Sequence, residues 1–365
     1  MFFMFKITLL KIIDLIIGSL LSFILPLFVR YKPIEISSVK KILFIRPGGI
    51  GDFILLIPVI QKFQKHFPEA AIDVLCEKRN HEVSSFLNNV HTIYIYDKGF
   101  DLIKCIKNNY DVIIDTEQWH RLSAVTSFLS NAPVRIGFNT NSRKRLLTHK
   151  IPYSHEEYEI QSFLHLLNPL KMPSEFSAVS SPFIHLKNDL SKIKFENENQ
   201  TIAIAPGASV PERIWNISKY AEIAGRLIRN GYIVILLGGN NDKKLTKQIN
   251  EYEPACIDLA GKTNLTETSI YLKKSRVLLS PDSGIMHLAY ALNVPTISLF
   301  GAGIEKKWAP KGENHKAINK HLSCSPCTRF GYTKHCRNRT ECLKEISTSD
   351  VFEAFEAILH QTLSD

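Results

Sequence analysis

The chain has 365 residues, of which 45% are hydrophobic and 22% charged, and its formal net charge is +10. A chain of this length and apolar content can build a sizeable core, so neither disulfides nor metals are required to fold it. The basic excess points to an anionic partner, whether nucleic acid, an acidic membrane face or a phosphorylated substrate.

Residues 2–29 are strongly apolar, and no charge occurs from Leu15 to Val29. The stretch lacks the basic leader and A-x-A-like site of a cleavable signal peptide. It is also shorter than the ~20 residues of a spanning helix unless Lys11 and Asp14 are admitted. Lys11, Asp14, Gly18 and Ser22 recur at helical spacing on one narrow face, and Pro26 ends or kinks the helix. Such a helix lies in a membrane interface on its broad apolar face, spans with Asp14 near one end, or packs as a core helix. Lys32, Lys40 and Lys41 follow, as suits an anionic cytoplasmic leaflet. Residues 1–39 are therefore read as an apolar, membrane-associating segment that lies on the membrane or spans it.

From residue 40, short β-branched runs alternate with helical stretches. Strands are expected at 42–46, 72–75, 92–96, 111–115 and 134–137, with a helix from Asp52 to Phe67. Strands this apolar, separated by helices, make a parallel sheet covered on both faces. The pattern breaks around 138–200, where 194–200 reads as the connection between domains. It restarts with strands at 201–205, 233–237, 276–279 and 296–300 and helices at 218–229 and 284–292. A last helix follows within 348–365, a candidate for crossing back to the first domain. The fold class is α/β: two Rossmann-like domains facing a cleft, spanning 40–195 and 196–347.

Three motifs carry chemistry, and each follows a strand and opens a helix. The first is Arg46-Pro47-Gly48-Gly49-Ile50-Gly51-Asp52. Its glycines permit a tight turn, and the helix start presents free N–H groups. It is not the G-x-G-x-x-G dinucleotide fingerprint. Asp52 reads either as a helix cap or as a carboxylate at the carboxyl edge of the sheet, where ligands bind. The second is Ala205-Pro206-Gly207-Ala208-Ser209, followed by Arg213 and Trp215. The turn amides and Ser209 can hold phosphate oxygens, and Arg213 supplies charge; Trp215 is read as structural. The third is Ser280-Pro281-Asp282-Ser283-Gly284-Ile285-Met286-His287. Ser283 and Gly284 can offer amides to a pyrophosphate, and Asp282 can orient a hydroxyl. His287, one turn into the helix, can reach the same site, although a lone histidine there is more often structural.

Gly51-Asp52 with Pro58, then Pro206-Gly207-Ala208-Ser209 with a basic residue two before Trp215, then Asp282-Ser283-Gly284-x-x-His287 occur in one order. This resembles glycosyltransferase family 9, the family of the ADP-heptose:lipopolysaccharide heptosyltransferases, over roughly residues 40–358. The resemblance implies a GT-B fold, inversion at the anomeric carbon and no catalytic metal or other required cofactor. It implies Asp52 as general base, with Gly49 and Gly51 on the acceptor side. It implies donor contacts from Ala208, Ser209, Arg213, Asn240, Thr263, Asp282, Ser283, Gly284 and His287. Arg213 stands where the family usually has lysine, which keeps the charge but changes its geometry, and Asn240 replaces a carboxylate found in some members. The donor implied is ADP-heptose and the acceptor an anionic lipopolysaccharide or related glycolipid at the cytoplasmic face of the bacterial inner membrane. Another nucleotide sugar, for O-chain or capsule assembly, is the alternative. A non-catalytic nucleotide-sugar-binding protein is the alternative of another class.

Arg143-Lys144-Arg145 could hold the anionic acceptor or form a solvated loop. Cys324, Cys327, Cys336 and Cys342 cluster near the end. They read as structural zinc ligands, a disulfide or free structural thiols, without the common zinc-ribbon spacing and with no catalytic role. Neither a recognition helix nor aromatics interleaved on a basic strand is present, so nucleic acid is not the expected partner.

Overall fold

The computed structural model describes residues 12–27, 39–175, 182–186 and 200–361. Two compact units divide the chain, Met1–Phe176 and Ser177–Asp365. The division falls ahead of the 195/196 boundary read from the polar stretch, because the amides of Phe183 and Ile184 already bond to the carbonyl of Ala291 in the second unit. Most of the expected connection, 194–199, lies outside the described residues, as do Lys11 and Lys32.

The first unit is built on six parallel strands: β1 (Lys41–Arg46), β2 (Ala71–Cys76), β3 (Thr92–Ile95), β4 (Val112–Asp115), β5 (Val134–Phe138) and β6 (His149–Ile151). Their order is β3-β2-β1-β4-β5-β6. Ile42 to Ile45 of β1 have no exposed surface, as expected of a central strand covered on both faces. The second unit repeats the design with β7 (Thr201–Ile204), β8 (Ile233–Leu236), β9 (Ile257–Asp258), β10 (Val277–Pro281), β11 (Thr296–Phe300) and β12 (His315–Asn319). Its order, β12-β11-β10-β7-β8-β9, is the same doubly wound arrangement. In such sheets the crevice beside the first strand, where the strand order reverses, is the ligand site. That places it after β1 and β4 in one unit and after β7 and β10 in the other.

The short strands β6, β9 and β12 were not expected from the sequence. Each lies at or next to a sheet edge and is partly exposed, so the apolar signal that marks the central strands is missing.

Trp215 is buried in the second unit's core, edge-on to Tyr220, and donates its indole N–H to the carbonyl of Ile346 at 3.2 Å. The last helix, Thr348–Gln361, buries Val351, Phe355 and Ile358 in that same core beside the helix Ile217–Arg229. Its apolar face is thus used within the second unit.

Residues 12–27 form one helical segment with a π turn at Asp14–Gly18, an α turn at Ser19–Ile24 and a 3-10 turn at Leu25–Leu27. Among the described residues no helix is long and apolar enough to cross a membrane. The core-helix alternative does not fit residues 12–27. The narrow face of Asp14, Gly18 and Ser22 is the buried one, while Leu15, Ile16 and Leu20 are each more than half exposed.

Candidate functional site

In the first unit, β1 delivers Arg46 to the carboxyl edge of the sheet, and the chain turns through Pro47-Gly48-Gly49 into the helix Ile50–His66. Gly48 has φ of +108°, a conformation that a side chain would strain. Gly49 is extended and stands at the helix start. A Cβ there would lie 2.7 Å from Oδ2 of Asp52, so the carboxylate folds back over the glycine. Asp52 is half-buried, in the first helical turn. It therefore sits where a dipole favours negative charge while part of it remains open to solvent.

Arg46 is buried and spends its guanidinium on this edge. Nε donates to the carbonyl of Pro47 at 2.7 Å, Nη1 to that of Thr116 at 2.9 Å, and Nη2 to Glu117 at 3.1 Å. Burial works against its charge, but the field of Asp52, Glu117, Glu159 and Asp115 outweighs this and holds its pKa above the ordinary value. Burial likewise opposes ionisation of Glu117, yet Arg46 and the amides it accepts keep its carboxyl below the usual range. Those amides are Gln118 and Trp119, each at 3.0 Å. The β1 and β4 ends are thereby locked together beside Asp52.

The basic stretch divides. Arg143 is buried, with its Nη2 on Asp115, Nη1 on the carbonyl of Phe138 and Nε on that of His120. It is an internal clamp across the β4 and β5 ends and offers no surface to an anionic acceptor. A basic residue in a polar loop gave no sign of this, because its acidic partner lies in another strand. Lys144 and Arg145 are exposed.

In the second unit Arg213 and Asp282 come together at the edge formed by β7 and β10. Nη1 of Arg213 meets Oδ2 of Asp282 at 3.0 Å, and Nη2 reaches Thr328 Oγ1 at 3.5 Å. Nε of Arg213 is buried without a hydrogen bond among the described residues. Burial raises the Asp282 pKa, with Arg213 pulling the other way. Ser283 caps the helix Gly284–Ala291 by accepting the Met286 amide, and its hydroxyl lies 2.8 Å from that of Ser280. Gly303 leaves room for Asp282: a Cβ there would approach Oδ2 to 2.2 Å. Ala208 and Ser209 follow β7, with Ser209 exposed. His287 is buried, edge-on to Trp308.

Asn240 and Thr263 lie in the loops after β8 and β9. These loops are tied by the Gly261 amide on the Gly238 carbonyl at 2.8 Å. Thr263 Oγ1 is 2.9 Å from Thr268 Oγ1.

Two residues escaped the sequence reading. Asp242 accepts the Gly239 amide at 2.8 Å, and its carboxylate lies where a Cβ on Gly207 or Gly238 would stand. It thus packs between the β7 turn and the β8 turn, with its pKa raised by burial. The Gly238-Gly239 turn pointed to this loop, but the carboxylate stands two residues beyond Asn240. Thr328 reaches Arg213 from the cysteine-rich loop, whose Cys327 and Thr328 amides bond to the carbonyl of Ala302 after β11.

The four cysteines are neighbours: burial raises the Cys342 pKa, and the charges of Cys324, Cys336 and Cys327 add to the rise. Cys324 is exposed, Cys342 is buried in the hydrophobic core, and Cys336 accepts the Thr340 amide. All are free thiols. Among the described residues no three His, Cys, Asp or Glu side chains are placed to hold a metal.

Residues 100–337 match the model of glycosyltransferase family 9 (heptosyltransferase). Lipopolysaccharide heptosyltransferase 3 of Escherichia coli is 29% identical over 290 residues, covering 72% of this chain and 84% of that protein. The solved structure of E. coli ADP-heptose lipopolysaccharide heptosyltransferase II aligns with a TM-score of 0.73 at 24% identity, covering 88% of this chain and 99% of that one. A family 9 glycosyltransferase from Veillonella parvula DSM 2008 aligns with a TM-score of 0.75 at 18% identity, over 91% of this chain and 100% of that one.

Proposed function

From the premise that the chain belongs to glycosyltransferase family 9, we propose that it transfers heptose from ADP-heptose to an anionic lipopolysaccharide inner-core or related glycolipid acceptor, with inversion and with Asp52 as base. The reaction is a single displacement. An acceptor hydroxyl oxygen bonds to the anomeric carbon, the bond from that carbon to the diphosphate oxygen breaks, the hydroxyl proton passes to Asp52, and ADP departs. General-base assistance of this kind is worth about 10²–10⁴ in rate.

The observation that carries the reading is the Arg213–Asp282 pair at the start of the helix Gly284–Ala291. Asp282 meets one Nη of the guanidinium at 3.0 Å, and the buried Nε is left without a hydrogen bond among the described residues. The helix start adds free amides and a positive dipole end. Together they oppose the charge that develops on a departing diphosphate, so a metal is not required in that role. Ala208 and Ser209 present the turn to the same group. Asn240, Thr263 and Asp242 are the candidates for the nucleoside side. Lys144 and Arg145 supply positive charge for the acceptor. With a glycolipid acceptor, the reading puts the enzyme to work at the cytoplasmic face of the inner membrane.

Thermal unfolding with a panel of nucleotides tests this. ADP and ADP-heptose are expected to raise the melting temperature; a ligand at a hundred times its Kd stabilises by about 2.7 kcal/mol. A response to UDP compounds alone would turn the reading to another nucleotide sugar. Binding of ADP-heptose with no transfer to a heptose-deficient glycolipid would favour a non-catalytic binding protein.

A further inference from the structure

The helical segment 12–27 is mounted with its polar side inward. Asp14 accepts the backbone amides of Arg121 at 2.7 Å and Leu122 at 2.8 Å, which caps the helix Leu122–Leu129. A Cβ on Gly18 would lie 2.9 Å from Cβ of Arg121, so only glycine permits this approach. One turn on, Ser22 donates to the Ser142 hydroxyl at 2.8 Å. Leu21 and Leu25 complete the contact against Ala124, Val125, Phe128 and Leu146. These positions follow one another at intervals of three and four, one stripe of a helix.

The opposite stripe faces outward. Ile12, Leu15, Ile16, Leu20, Phe23 and Leu27 are 47%, 58%, 62%, 57%, 50% and 77% exposed. A surface helix normally places its apolar stripe on the core and its polar stripe in water; here the assignment is reversed. The reversal is held in place by the Asp14 clasp, so the apolar row cannot turn inward without breaking the two hydrogen bonds that the Arg121 and Leu122 amides donate to the Asp14 carboxylate. Basic groups stand beside the row. The helix packs on the 3-10 turn Ser142–Leu146. From that turn the exposed Arg145 lays its guanidinium over the Phe23 ring at 4.5 Å, and Lys144 is exposed next to it. An apolar row bordered by cations complements the boundary between headgroups and acyl chains of an anionic bilayer.

We propose that this stripe is a lipid-docking face, which lies in the plane of an anionic bilayer without crossing it and, through the Asp14 clasp, fixes the orientation of the first unit on the membrane. This deepens the membrane-surface part of the function proposed above, but stands on the helix geometry alone. Any donor sugar leaves it unchanged.

The test is co-sedimentation of the full chain with vesicles of phosphatidylcholine alone and of phosphatidylcholine with one third phosphatidylglycerol. The wild-type chain is expected to bind the anionic vesicles more tightly than the neutral ones, with binding weakened by salt. The variant Ile16→Asp/Leu20→Asp changes two exposed residues. It is expected to lower partitioning at least tenfold while keeping the wild-type melting temperature and the wild-type response to ADP. Absence of wild-type vesicle binding, or binding unchanged in the variant, would overturn the proposal. So would a wild-type dimer in vesicle-free solution that the variant dissociates, since the stripe would then be an interface between copies. An ADP response lost in the wild-type chain, with vesicle binding intact, would sink the transferase reading and leave this one standing.

Discussion

Replacing Arg213 with alanine removes the cation that faces Asp282 and leaves the carboxylate buried. Removing one partner of a buried ion pair costs about 3–5 kcal/mol. Arg213 keeps 15% of its side chain exposed against 5% for Asp282, so water reaches the vacated position and the lower end, about 3 kcal/mol, is expected. The loss also depends on pH. Burial already raises the Asp282 pKa, with Arg213 holding it back; without Arg213 it rises further. A carboxyl whose folded-state pKa is raised contributes stability that is fully present below its unfolded pKa, near 3.9, and is lost as pH rises through the folded value. Urea unfolding should therefore show Arg213→Ala close to wild type near pH 4 and progressively weaker toward pH 7.5. Asp282→Asn introduced into the alanine variant should return most of the lost stability at pH 7.5, because an amide carries no charge to bury. A deficit independent of pH, or one that Asp282→Asn leaves untouched, would refute the argument that charge at this pair governs the site. The same alanine variant should lose the ADP-dependent rise in melting temperature even at pH 5.

Asp52→Ala should abolish measurable transfer, by a factor of about 10²–10⁴, while the ADP response stays at the wild-type level; retained turnover would remove Asp52 as the base. Gly303→Ala should disable donor binding, since a Cβ at 2.2 Å from Oδ2 of Asp282 forces that carboxylate away from Arg213, and ADP titration by calorimetry reads the result directly. His315 is held neutral by burial, its pKa lowered to about 4, with its ring 3.0 Å from the Thr296 hydroxyl. A histidine with a depressed folded pKa contributes stability that is present above its unfolded pKa of about 6.5 and is lost as pH falls toward the folded value. About 2 kcal/mol should disappear between pH 6.5 and pH 5. Chemical denaturation of His315→Gln over the same range should lack that component.

Central strands betray themselves because both faces must be apolar. Ile42–Ile45, Ile202–Ile204 and Leu278–Leu279 were readable for that reason, and with them the two doubly wound sheets. The turns at Gly48-Gly49 and Gly207 and the helix start at Ser283-Gly284 were also legible, since the backbone there demands small residues wherever the protein places them. Hence Asp52, Arg213, Asp282 and Ser283 could be named from one dimension, and Arg213 and Asp282 do meet. Partnerships between distant residues were not legible. Arg143 looked like a free cation until Asp115 was seen to take it, and Asp242 was hidden because its proximity to Gly207 arises from strand order. Edge strands such as β6 and β12 carry little apolar pattern, so neighbouring strands alone define them. The sequence by itself determined that residues 12–27 form a helix with one polar and one apolar side, because side-chain spacing fixes the faces. Only the tertiary structure decided which side turns to the protein, because that rests on two amides, of Arg121 and Leu122, that Asp14 reaches across more than a hundred residues of chain.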